Sequence, residues 1–172
     1  IEWTSDGKSL IISLRDKGWS EKGDSLFKEA TIGPVTVYDS KRPMLKWEEI
    51  RNHSSLSIIA LVDIKSGDVT KLLPEGRYSG FNLPKNGSRL NFVEYVPKKT
   101  VYDRRGGTDY GLYSLKLDNP AEIDTLIKKS EKRININWNE AKSSYAYVDS
   151  SHIYIRKIAE KDGFKVSSDT ME

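Results

Sequence analysis

Few side chains in this sequence of 172 residues can do covalent or metal chemistry: there are 2 His and no Cys. A thiol nucleophile, a thiolate metal site and a disulfide framework are thereby excluded. A serine nucleophile on a strand-to-helix elbow requires G-x-S-x-G, so that its hydroxyl stands exposed beside oxyanion donors, and the pentapeptide does not occur. His53 and His152 are far apart in sequence, without H-E-x-x-H or EF-hand spacing, and neither has an elbow serine to serve as base. We therefore expect no catalytic residue, no metal ligands and no cofactor. Gly106-Gly107 after Arg104-Arg105 has the makings of a phosphate nest, but the Lys-Ser/Thr and helix that should follow are missing, and the segment reads as a loop.

The 28 basic and 25 acidic residues leave a formal charge of +3. The basic pairs Lys98-Lys99, Arg104-Arg105, Lys128-Lys129 and Lys132-Arg133 are separated by acids. A phosphate-tracking surface needs a denser stripe, so no nucleic-acid partner is expected. No apolar run approaches the ~20 residues of a helical membrane span. The lack of cysteine fits cytosol, periplasm or cell exterior, and the reading leans towards a periplasmic or secreted location.

The elements that would position any site are dominated by period-2 patterning with β-branched and aromatic residues: SLIISLR from Ser9, SIIALVDI from Ser57, RLNFVEYV from Arg89, YGLYSLKL from Tyr110, SYAYVDS from Ser144 and HIYIRKIA from His152. Between them lie hairpin turn signals, Asp6-Gly7, Ser66-Gly67, Asn86-Gly87 and Asp162-Gly163. Three stretches align without a gap: IEWTSDGKSLII (1–12), FNLPKNGSRLNF (81–92) and INWNEAKSSYAY (136–147). Trp3, Leu83 and Trp138 precede each turn, and an apolar pair follows it (Leu10 and Ile12, Leu90 and Phe92, Tyr145 and Tyr147). The third copy has Glu140-Ala141-Lys142-Ser143 where the others have Asp/Asn-Gly, which predicts a turn of another type.

A second hairpin follows each copy, so each unit has four antiparallel strands, the makeup of a β-propeller blade. The fold class expected is all-β, a partial β-propeller of about three blades: 1–77 with an insertion at 16–56, 78–133 with an insertion at 97–109, and 134–168. One segment carries two patterns. Asn119-Pro120-Ala121-Glu122 followed by Ile123, Leu126 and Ile127 fits a helix start, whereas its place in the repeat calls for an outer strand. Met44–Asn52 reads as a short helix within the first insertion, and GPVTVYDS from Gly33 as a possible extra strand or arm.

The W-x-x-D-G-K-x-L opening, the hairpin ALVDIKSGDVTKLL (60–73) and GRYSGFNLPKNGSRLNF (76–92) resemble the N-terminal β-propeller of the prolyl oligopeptidase family of serine peptidases. Similar motifs occur in propellers of outer-membrane transport systems. The peptidase resemblance implies a non-catalytic cap of seven or eight blades over a separate α/β-hydrolase domain that carries the Ser-Asp-His triad. It makes this chain a piece of a longer protein, with that domain and peptide substrates as its partners.

In such a blade the connections between the second and third strands leave on one face, which places both insertions together. The first insertion contributes Trp19 and Trp47, the second Arg104 and Arg105. These four are the candidate contacts to a substrate peptide or partner domain; equally, the aromatics pack the loop onto its blade and the arginines are solvated. Trp3 reads as a packing residue between blades. Three blades cannot close a ring, so open blade edges are expected to self-associate. The alternative function is a non-enzymatic protein-binding propeller, a scaffold of a cell-envelope complex.

Overall fold

A computed structural model describes residues 1–34, 44–98, 107–131, 134–160 and 162–167. Among the described residues twelve strands form three four-stranded antiparallel sheets, each with its strands in chain order. Sheet 1 comprises β1 (Glu2–Trp3), β2 (Ser9–Leu14), β3 (Ser57–Asp63) and β4 (Val69–Gly76), with helices α1 (Trp19–Thr31) and α2 (Lys46–Ser54) between β2 and β3. Sheet 2 comprises β5 (Tyr78–Asn82), β6 (Arg89–Pro97), β7 (Thr108–Lys116) and β8 (Ile123–Ser130); sheet 3 comprises β9 (Ile136–Trp138), β10 (Ser144–Asp149), β11 (His152–Lys157) and β12 (Phe164–Lys165). The 119–127 segment resolves as an outer strand, with Ile123 opposite Leu115 and Ile127 opposite Leu112. Met44–Asn52 corresponds to α2, displaced by two residues, while most of GPVTVYDS lies outside the described residues.

The sequence repeat is also a register repeat. Glu2 faces Ile11, Asn82 faces Asn91 and Asn137 faces Ala146, equivalent pairs in all three copies. The turns agree as well, and here the structure corrects the sequence reading. Gly7, Gly87 and Lys142 all have positive φ, +66°, +65° and +57°. Their N–H groups donate to the equivalent carbonyls of Thr4, Pro84 and Asn139 at 2.9, 2.8 and 3.0 Å. Lys142 thus accepts the left-handed conformation that glycine adopts freely. The third turn holds this shape with the Asn139 side chain, whose Oδ1 accepts from the N–H groups of Ser143 and Ser144 at 2.9 and 3.1 Å. In the first turn Thr4 Oγ1 does the equivalent work, accepting from Ser9 N–H at 3.0 Å.

Alternation along the strands decides how the sheets stack. Leu83, Leu90, Phe92 and Leu115 on one face of sheet 2 join Ile11, Ile59, Leu72 and Leu73 of sheet 1 in one buried cluster. Leu112 and Leu126 on its other face meet Tyr145 of sheet 3, with Val93, Ile136, Trp138 and Tyr147 packed around them. Truncating Leu90 or Leu112, at 0% and 1% exposure, to alanine costs about 2–5 kcal/mol, the range for buried leucines.

Backbone contacts between turns set the sheets' relative height. Lys85 N–H donates to Ala141 O at 3.0 Å, joining the second and third turns, and the Lys85 and Glu140 side chains pair alongside at 2.6 Å. A Cβ at Gly87 would come within 2.2 Å of Ser5 Oγ, so the first and second turns are in close contact. Tyr78 lies over Gly76 and Tyr113 over Gly111, and an added Cβ would come within 2.6 Å of each phenol oxygen. Partial burial, with the Glu94 charge nearby, pushes the Tyr78 phenol up to about 12.

Three outcomes follow from this architecture. Lys142→Gly relieves the left-handed strain and raises stability by about 0.5–1 kcal/mol in denaturant titration, after the entropy of the added glycine in the unfolded chain is offset. Gly87→Ala, which combines positive φ with a collision on Ser5, lowers it by about 1–3 kcal/mol in the same assay. In an ultraviolet pH titration Tyr78 ionises later than an exposed tyrosine; because its folded pKa lies above the unfolded value, its contribution to stability is complete below about pH 10 and is lost between about 10 and 12.

Candidate functional site

The two long connections join β2 to β3 and β6 to β7; residues 99–106 of the second lie outside the described residues, and the first is brought beside the end of sheet 2. Helix α2 lies beside the end of β6–β7, with Glu48, Arg51 and Asn52 facing Tyr95, Pro97 and Thr108 across a cleft of about 190 Å³. Glu48 is buried, and its Oε2 accepts from Leu45 N–H at 3.0 Å at the start of the helix.

What fixes α2 here is its C-terminal end, where successive carbonyls lack helical partners. Asn52 O accepts from Arg77 Nε at 3.1 Å, His53 O from Trp19 Nε1 at 3.0 Å, and Ser54 O from the Arg15 guanidinium. Arg15 also donates to Leu56 O at 2.8 Å. Two cations thus sit where the helix dipole is negative. The Arg15 guanidinium lies 4.2 Å over the Trp19 ring, and Trp19 stacks on His53 with centroids 5.1 Å apart. His53 Nε2 donates to Trp19 O at 2.7 Å and therefore carries the hydrogen; its Nδ1 is buried with no hydrogen-bond partner.

Trp19 is half-buried and forms the hinge pin of this clasp. Trp47 stands outward at 51% exposure, in edge contact with Phe27, itself 51% exposed, at 5.8 Å. Arg104 and Arg105 lie outside the described residues. The clasp partners Arg15, Arg77 and His53 escaped sequence reasoning, because the contacts join residues 25 to 41 positions apart and no local pattern announces them.

The opposite edge holds a larger cavity of about 510 Å³ between sheets 2 and 3. Its charges are matched internally: Arg89 pairs with Asp124 and donates to Ser114 Oγ at 2.9 Å, and Lys116 pairs with Glu122 at 2.5 Å. The Lys116 charge holds the Glu122 carboxyl below the usual carboxylate range. His152 Nδ1 lies 3.4 Å from Ser167 Oγ at the edge of sheet 3, where that oxygen also accepts from Ile153 N–H at 3.1 Å. Among the described residues no three His, Asp or Glu side chains gather as metal ligands.

The arrangement of three stacked four-stranded sheets matches solved structures of acylaminoacyl peptidase. One, in complex with Z-Gly-Gly-Phe-chloromethyl ketone, superposes with a TM-score of 0.54 at 13% identity over 97% of this chain. The orthorhombic form of the Pyrococcus horikoshii enzyme gives 0.54 at 12% identity over 96%. The fold is a partial β-propeller. The chain spans about a quarter of the length of these enzymes, 24% of each. No family model and no curated protein matches the sequence.

The clasp can be tested by mutation. Arg15→Ala and Arg77→Ala each remove a charge-assisted bond to the α2 end, costing about 1.5–3 kcal/mol locally. We expect faster amide exchange over 46–54 in hydrogen-exchange mass spectrometry, with the strands of sheet 2 unchanged.

Proposed function

We propose that this chain is the non-catalytic propeller portion of a serine peptidase of the prolyl oligopeptidase type, acting on peptides, with its α/β-hydrolase domain supplied by the same parent chain. The observation that carries this reading is the likeness of the three stacked sheets to acylaminoacyl peptidase over nearly the whole chain. The residue motifs at 60–73 and 76–92 point the same way. The role is passive: the cap admits short peptides to a covered active site and excludes folded chains. The helical hairpin, with Trp47 and Phe27 exposed, provides the surface that meets the catalytic domain or an entering peptide. The exposed aromatic pair also favours a second reading, a protein-binding scaffold, in which the same surface holds a protein partner and no hydrolase domain follows.

The test uses the full gene product. Replacing residues 16–56 by a short hairpin turn should raise cleavage of long peptides relative to dipeptide substrates, while the isolated 172-residue chain turns over neither. A parent chain without a G-x-S-x-G, or a size preference unmoved by the deletion, contradicts the proposal.

A further inference from the structure

His53 is buried in the middle of the clasp, at 5% exposure. Its ring stacks on Trp19 and also meets Gly23 of α1, where an added Cβ would lie 3.5 Å from Cδ2 and Nε2. Two reciprocal bonds cross between the helices here: His53 Nε2 donates to Trp19 O at 2.7 Å, and Trp19 Nε1 donates to His53 O at 3.0 Å. With its one hydrogen on Nε2 the ring is neutral, and the lone pair of Nδ1 meets neither a donor nor solvent.

A second proton would have to enter at Nδ1. It would create a donor without an acceptor and a buried charge without a counter-ion, both costly away from water. The acids on the surrounding elements are engaged elsewhere. Asp16 pairs with Lys71 at 3.7 Å, Glu48 accepts from Leu45 N–H at 3.0 Å, and Glu21 and Asp24 on α1 are exposed. Glu49, one turn before His53 on α2, makes no bond to the ring. The nearby cations add to the cost: the Arg15 guanidinium lies 4.2 Å over the Trp19 ring, and Arg77 bonds Asn52 O, while Lys22 and Arg51 are exposed. The negative end of a helix favours a charged histidine, but the carbonyls of residues 52–54 are already taken by Arg77, Trp19 and Arg15. Neither an adjoining sheet nor another domain of a longer chain can supply the missing acceptor while the clasp is closed, because Nδ1 is sealed from the surface.

We propose that His53 is a proton-operated latch. Neutral, it holds α1 against α2; protonated, it leaves the clasp, the reciprocal bonds with Trp19 break, and the helical hairpin comes away from the sheets, which stay folded. The released state binds one more proton than the closed state, so the latch holds at high pH and opens as pH falls. It depends on the clasp alone and holds whatever domain accompanies the propeller.

Hydrogen-exchange mass spectrometry on the full gene product tests this at about pH 8 and about pH 5, the interval in which histidine takes up its proton, with rates corrected for the intrinsic pH dependence of amide exchange. Peptides covering 19–31 and 46–54 should exchange several-fold faster at the lower pH, with the strands of sheet 2 unchanged. His53→Gln keeps an amide donor for Trp19 O and takes up no proton, so it should abolish the pH dependence; His152→Gln should leave it intact. The carbon-13-labelled His53 ring gives a second readout, and its resonance should change at the pH at which 46–54 loosens. Protection of 46–54 that is the same at both pH values, a pH dependence that survives His53→Gln, or a ring that takes its proton with the hairpin still closed overturns the proposal.

Discussion

The middle sheet has to bury both of its faces, and the rest of the structure answers to that constraint. Along β6, Leu90 and Phe92 point to sheet 1 while Asn91 and Val93 point to sheet 3; along β7, Leu115 and Leu112 divide in the same way. Such a strand is apolar on successive residues, and only a layer on either side removes it from water. Asn91 and Ser114 are fully buried polar exceptions. Ser114 Oγ accepts from Arg89 and Asn91 Nδ2 donates to Asn82 Oδ1 at 3.1 Å, whereas Asn91 Oδ1 is buried with no hydrogen-bond partner.

Stacking by itself leaves the sheets free to slide, and the two edges remove that freedom differently. On one edge the short turns interlock, with Gly87 against Ser5 and Lys85 against Ala141. On the other, the β2–β3 connection forms a helical hairpin that Arg15, Trp19 and Arg77 tie to sheet 1 and to the start of sheet 2. The short-turn edge therefore holds the frame, and the first long connection leaves Trp47 and Phe27 exposed on the other edge.

Strands and their register were legible because period 2 and the repeat agree: the gap-free alignment of 1–12, 81–92 and 136–147 reappears as equivalent cross-strand pairs. The turn at Lys142 was hidden, since lysine gives no sign of a left-handed φ and the compensating bonds come from Asn139, three residues earlier. Helix α1 was hidden too. Gly23 interrupts its interior at a cost of about 1 kcal/mol relative to alanine, and its anchor is the tertiary contact of Trp19 with His53. At 119–127 the helical pattern lost to pairing with β7, which buries Leu126 against sheet 3. That the first insertion gathers on one edge was readable from its place in the repeat; the contacts that hold it there were not, because distant side chains make them.

The most direct measurement is a nuclear Overhauser spectrum of the methyl- and tyrosine-labelled chain. Leu90 and Leu115 should show cross-peaks to Ile59 or Leu73, and Leu112 and Leu126 should show them to the Tyr145 ring, the middle sheet touching both neighbours at once. Cross-peaks confined within each sheet, or from Leu112 to sheet 1, would contradict the stacked-blade account.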